Sequence, residues 1–129
     1  MTKLDMLDLC FDLLEGSELP ESSFIGVTLL VGGTVISGDM ITEVGYYKGI
    51  AEGLESNPSN SETNKAYAVG KGLKDAIDEI TASKPQRDRI FLKDPVVWVS
   101  PNSAISFMGN FLALRTDSID GFMWGKYGS

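Results

Sequence analysis

The chain has 129 residues, a formal net charge of −7, no histidine and a single cysteine, Cys10. The missing histidine excludes Ser-His-Asp and Cys-His catalysis and removes the commonest zinc ligand, while one cysteine allows neither an internal disulfide nor a thiolate zinc site. The acidic balance disfavours nucleic acid and anionic membrane surfaces, which need a basic footprint.

The length fits one domain, 1–129, with one core. The start, "MTKLDMLDLCFDLLEGS", scatters acidic residues among apolar ones, unlike a secretory signal. No apolar run nears the roughly 20 residues that span a bilayer. The expectation is a cytoplasmic protein that does not enter membranes. Charge is uneven: residues 1–62 carry only Lys3 and Lys48 as cations, whereas Lys65, Lys71, Lys74, Lys84, Arg87, Arg89 and Lys93 share one stretch.

Residues 3–15 have helical spacing. Leu4, Leu7, Phe11 and Leu14 form an apolar stripe that Met6, Cys10 and Leu13 widen. Thr2 is placed to cap the start and Gly16 stands at the C′ position. Asp5, Asp8, Asp12 and Glu15 form the opposite stripe. A calcium site usually draws on a turning loop, so this stripe reads as a solvated face. "SELPESS" is a connector.

Residues 24–31 and 34–42 read as a hairpin rich in Val, Ile and Thr. Gly32-Gly33 supplies the positive φ values of a two-residue turn. Gly38, inside the second strand, marks a bulge or bend. Thr28, Thr34, Ser37 and Asp39 read as one solvated side of the sheet.

Thr42 caps a helix over 43–55, with Val44, Tyr47, Ala51 and Leu54 on one face. Gly45, Gly49 and Gly53 recur every four residues, which reads as close backbone approach against the sheet. "SNPSNSETN" is a loop, with Ser59 and Glu62 at capping-box spacing. A second helix follows over about 62–81, its stripe formed by Ala66, Val69, Leu73, Ala76 and Ile80, thickened by Ile77.

The remainder is β. "RIFLKDPVVWV" is interrupted by Pro95, which cannot donate to a ladder, so it reads as an edge strand or as two short strands around a kink. A turn at 100–103 precedes strands at about 104–108, 111–116 and 119–124. Strands segregate from helices, which gives α+β with a small, strongly bent antiparallel sheet, an N-terminal helix and two inserted helices.

The residues offer little chemistry. Asp117 and Asp120, beside Arg115, are a carboxylate pair suited to acid–base work if their environments differ. Asp-Ser and Asp-Gly are equally ordinary turn chemistry. Gly32-Gly33 lacks the GK[ST] and the following helix of a phosphate loop. Trp98, Phe122, Trp124 and Tyr127 are the candidate interaction surface, with core packing as the plain alternative. No catalytic, cofactor-binding or metal-binding residue is assigned. The expectation is a non-enzyme.

Three stretches carry a family resemblance: "VGGTVISGDMITEVGYY" (31–47), "RIFLKDPVVWV" (89–99) and "IDGFMWGKYGS" (119–129). Together they resemble the gas vesicle protein U family, most specifically in the terminal D-G-F-x-x-G-K. The resemblance implies a non-catalytic accessory protein without cofactors, acting in gas vesicle assembly or vesicle clustering through protein–protein contacts. It implies as partners the gas vesicle shell protein, other gas vesicle accessory proteins and further copies of the chain in a homo-oligomer. It places the protein in the cytoplasm, associated with gas vesicles.

A second, architectural likeness concerns the fold. The leading helix, the "VTLLVGGTVISGDMI" hairpin and "FLALRTDSIDGF" are similar in order to Sm-like small barrels, partly open, with Leu114-Arg115-Thr116-Asp117 at the turn before the last strand. Thr116 stands where that motif has glycine, and the base-binding Asp/Asn residues are not recognisable. The likeness keeps an RNA-binding or other small-barrel interaction module as the alternative function, and a carboxylate enzyme built on Asp117 and Asp120 behind it.

Overall fold

The computed structural model describes residues 3–16, 23–56, 65–82 and 87–127, with the side chains of 3–5, 56, 67, 78 and 80–82 left aside. The expected cap at Thr2, most of the "SELPESS" connector, the Ser59/Glu62 capping box and the start of the second inserted helix at 62–64 lie outside these residues. The elements run α1 (Lys3–Glu15), β1 (Ile25–Val31), β2 (Thr34–Ile41), α2 (Glu43–Ser56), α3 (Lys65–Ala82), β3 (Arg89–Ser100), β4 (Ser103–Ser106), β5 (Phe111–Arg115), a 3-10 turn at Thr116–Ser118, and β6 (Gly121–Trp124). The class is α+β, as the sequence implies. By packing the chain forms two units, 43–85 and the rest.

In the larger unit all strand pairings are antiparallel. The order is β4-β3-β2-β1-β6, and β5 also pairs with β3. Among the described residues the sheet does not close into a barrel. Gly32 and Gly33 sit at φ +56° and +85°, as the two-residue turn demands, and Val31 faces Thr34 across it. The expected irregularity at Gly38 is present: the β2–β3 register shifts between Ser37 and Asp39.

β3 departs from the expected edge strand. It is one strand inside the sheet, with β2 on one side and β5 and then β4 on the other. Pro95 is tolerated there because the ladder is already interrupted. Asp94 and Pro95 together stand opposite the single residue Gly38 and so form a bulge on β3, Asp94 adopts φ +52°, and the Pro95 carbonyl still accepts a bond from the Phe107 amide at 2.9 Å. The anticipated kink is therefore real. Residues 89–93 pair with β5, and residues 96–100 pair with β4.

Alternation along the strands gives the sheet two faces. Val27, Leu29, Ile36, Met40, Ile90 and Leu92 share one face and bury against Leu7, Cys10, Phe11 and Leu14 of α1 and against Ile119. Leu13, expected to widen the buried stripe of α1, is 48% exposed. It lies at the margin of the turn-to-turn stripe that Leu7, Phe11 and Leu14 fill. Burial pushes the Cys10 thiol from 9.0 up to about 11, because an apolar site disfavours the thiolate.

The smaller unit is the α2–α3 pair. Ala51 of α2 is fully buried. The close approach comes from Gly70 of α3, where an added Cβ would lie 3.1 Å from Leu54 Cβ and 3.2 Å from the Ala51 carbonyl. Gly53, expected to approach the sheet closely, has open space around it. Val69, expected in the buried stripe, is 54% exposed, because the helix turns Gly70 inward instead. Lys74 pairs with Glu55 at 2.6 Å.

Two outcomes are expected. Gly33→Val forces a β-branched residue into left-handed backbone and lowers stability by about 1–2 kcal/mol, whereas Gly53→Ala raises it by up to about 1 kcal/mol; urea midpoints measure both. The folded state holds Cys10 neutral, so its contribution is complete below the unfolded value of 9.0 and is lost as the pH rises through about 11. Stability of the native chain should fall across that window, and a Cys10→Ala variant should lack this part of the fall.

Candidate functional site

The hairpin and the C-terminal residues, far apart in sequence, are built into one another. β6 adds to β1, with Leu29 opposite Phe122 and Val27 opposite Trp124. The Asp120 amide donates to the Leu30 carbonyl at 2.7 Å, and the Asp120 carboxylate accepts from the Gly32 amide at 2.9 Å. That carboxylate therefore satisfies a donor in the hairpin turn. At Gly121 an added Cβ would come within 2.9 Å of Leu30 Cδ1, so glycine lets β6 close onto β1.

Gly125, at φ +80°, then turns the chain. Its amide bonds the Gly26 carbonyl at 2.9 Å. Thr28 Oγ1 donates to the Gly125 carbonyl at 2.8 Å and accepts from the Tyr127 amide at 2.8 Å. Lys126 Nζ lies 3.1 Å from Asp39 Oδ1, near enough to neutralise it though not aligned as a hydrogen bond. Residues 125–127 thus strap the sheet face opposite the α1 core.

This strap corrects the reading of that face as solvated. Thr28, Ser37 and Asp39 are buried. Thr34 does not belong with them, since it pairs with Val31 on the core-facing side. Period-two alternation separates the two faces correctly, but it cannot say that a terminal segment returns over the polar one.

The four aromatic candidates separate into two edge-to-face pairs. Phe122 and Trp124 have ring centroids 5.0 Å apart at 90°, and Trp98 and Tyr127 are 4.7 Å apart at 85°. Phe122 and Trp124 share the face of Leu29 and Val27. Trp98 pairs with Val35 on the strapped face. Phe122 packs against the core, whereas Trp124 is 51% exposed at the free edge of the sheet. Trp98 Nε1 is buried without a hydrogen-bond partner.

Asp117 and Asp120 have separate tasks. Asp117 pairs with Arg115 at 2.9 Å, the ion-paired turn, while Asp120 holds the hairpin. Asp8, Asp12 and Glu15 of the acidic stripe of α1 are exposed but not unpartnered. Arg87 reaches Asp12 at 2.6 Å, Glu15 at 2.8 Å and Asp8 at 3.5 Å, and its guanidinium stands 5.4 Å from the Phe11 ring centre. These carboxylates hold the Arg87 pKa above its ordinary value, mainly through hydrogen bonds to Asp12 and Glu15. An open cleft of about 530 Å³ lies here, lined by Asp8, Asp88 and Asp117 and by Arg87, Arg89 and Arg115. Its formal charges balance, and it contains no nucleophile–base pair.

The strap gives a measurable expectation. Lys126→Met removes the ion-pair partner of buried Asp39, leaving exposed Lys93 across the strand pair, and costs about 1–3 kcal/mol of stability. Adding Asp39→Asn should recover part of that loss, and denaturant midpoints over the double-mutant cycle measure the coupling.

Among known proteins, a family model described as "Gas vesicle protein GvpU-like" matches residues 12–127. No curated protein and no solved structure matches the chain. The family match spans the α1 core, the hairpin, the inserted helices and the strap alike. The chain belongs to the GvpU-like family of gas vesicle proteins.

Proposed function

We propose that this chain is a non-catalytic accessory protein of gas vesicles, which acts in vesicle assembly or clustering through protein–protein contacts. The observation that carries the reading is the family match over residues 12–127. The balanced charges of the cleft and the structural tasks of Asp117 and Asp120 support a contact role over catalysis. Its partners are the gas vesicle shell protein, other accessory proteins and further copies of the chain. Its place is the cytoplasm, at the vesicles. No helix among the described residues is long and apolar enough to cross a membrane.

Trp124 is the aromatic anchor of the contact. It stands half exposed at an open sheet edge, braced by Phe122, and large aromatics so placed often dominate binding. The bent open sheet with a turn before the last strand keeps a small-barrel interaction module as the second reading. RNA retention that falls steeply with salt would mark that alternative.

The test is flotation of purified gas vesicles with the purified chain. The chain should rise with the vesicles, and Trp124→Ser should weaken retention by roughly tenfold, about 1.4 kcal/mol. A chain that stays behind at every concentration refutes the reading.

A further inference from the structure

From Pro95 to Leu114 the sequence holds no charged residue, although 22% of the chain is Asp, Glu, Lys or Arg. The middle of this stretch is the β3–β4 hairpin and the turn beyond it. Residues 99–110 are all exposed, including Val99 at 66%, Ile105 at 51%, Phe107 at 42% and Met108 at 79%. An apolar outcrop on a chain of charge −7 is a marked exception to its surroundings.

The outcrop ends in an open main-chain edge. β4 pairs with β3, and no described residue pairs with its other side. The direction of its backbone groups follows from the ladder. The Phe107 amide bonds the Pro95 carbonyl, so position 107 faces β3, and so does Ile105, opposite Val97. In an antiparallel pair the intervening residues point outward. The amides and carbonyls of Ala104 and Ser106 therefore face away from the sheet. Such edges are usually blunted by charge, by proline or by a covering segment. Ser103, Ala104, Ile105 and Ser106 include neither charge nor proline, and only the shortness of β4 protects it.

We infer that the outer edge of β4 is a docking site for an extended segment of another polypeptide, apolar at alternate positions and free of acidic residues, which adds as a further strand. A row of outward amides and carbonyls is satisfied by an extended backbone. Ile105, on the face of Val97, supplies the apolar rail for alternate side chains, with Phe107 and Met108 beyond it. Charge selects the occupant: an acidic segment is repelled by a molecule of net charge −7, while a neutral or basic one is not. The inference rests on the proposed contact role, but it concerns a surface distant in the sheet order from Trp124.

The test uses the purified full chain without vesicles, so its failure is distinguishable from failure of the vesicle reading. The probes are two eight-residue peptides of alternating Thr and Val, one with a central Lys and one with Glu there. Amide hydrogen exchange is followed residue by residue. The Lys peptide should slow exchange at Ala104 and Ser106 by about tenfold or more, and the Glu peptide should bind about threefold more weakly. Ala104→Pro and Ser106→Pro each remove an outward donor while leaving the bonds to β3, and each should abolish the effect. No slowing with either peptide, equal binding of both, or an effect that survives both proline variants overturns the inference. Slowing without peptide that grows with protein concentration also overturns it, by assigning the edge to a second copy.

Discussion

Pro95 cannot donate a hydrogen bond, and the shape of the sheet follows from how that deficiency is absorbed. Asp94 and Pro95 form a bulge on β3 opposite Gly38, Asp94 takes left-handed backbone, and β3 changes neighbours at this point from β5 to β4. The same spot organises the following turn. The Asp94 carboxylate accepts from the Gly109 amide at 2.7 Å, and the Asp94 amide donates to the Asn110 carbonyl at 3.0 Å. One long strand therefore serves two partners, and the uncharged hairpin begins just beyond the residue pair that interrupts the ladder.

Much of this fold is legible along the chain. The α1 stripe of Leu7, Phe11 and Leu14, the Gly-Gly turn and the ladder irregularity at Gly38 each rest on local chemistry: helical period, positive φ, and a residue without Cβ inside a strand. What sequence reading misses is set by distant partners. Proline in a strand argues for an edge only if its neighbours need its donor, and a bulge at the proline removes that need. Ser37 and Asp39 look solvated until Lys126 and its strap return from the far end of the chain. Gly53 and Gly70 differ only in what α2 and α3 bring beside them.

The four aromatics are legible in the sequence, but their arrangement is not. Trp98 pairs with Tyr127 and Phe122 with Trp124, and the pleat sends Trp98 and Trp124 to opposite faces. The family signature gains a physical meaning from the same geometry. Its two most distinctive stretches, the hairpin and D-G-F-x-x-G-K, are the two halves of one lock. Asp120 closes the turn, Gly121 admits the strand, Phe122 reaches the core, Gly125 turns the chain and Lys126 neutralises Asp39. The uncharged hairpin carries no such periodic or motif signal. It stands out only when exposure is known for residues that composition alone would bury.

The lock also bears on how the molecule comes into being. Thr28 is joined to Gly125 and Tyr127 across sequence separations of 97 and 99 residues, and Gly32 to Asp120 across 88. In synthesis order the hairpin residues emerge about 90 residues before β6 and the strap that complete their contacts. Through that interval the polar face holding Asp39 stays wet, and one edge of β1 stays unpaired. Contacts of such separation close slowly, because the intervening loop must be ordered before they form. The larger unit is therefore complete only once β6 and residues 125–127 are packed, and a nascent chain lacking them exposes a strand edge of β1 that they cover.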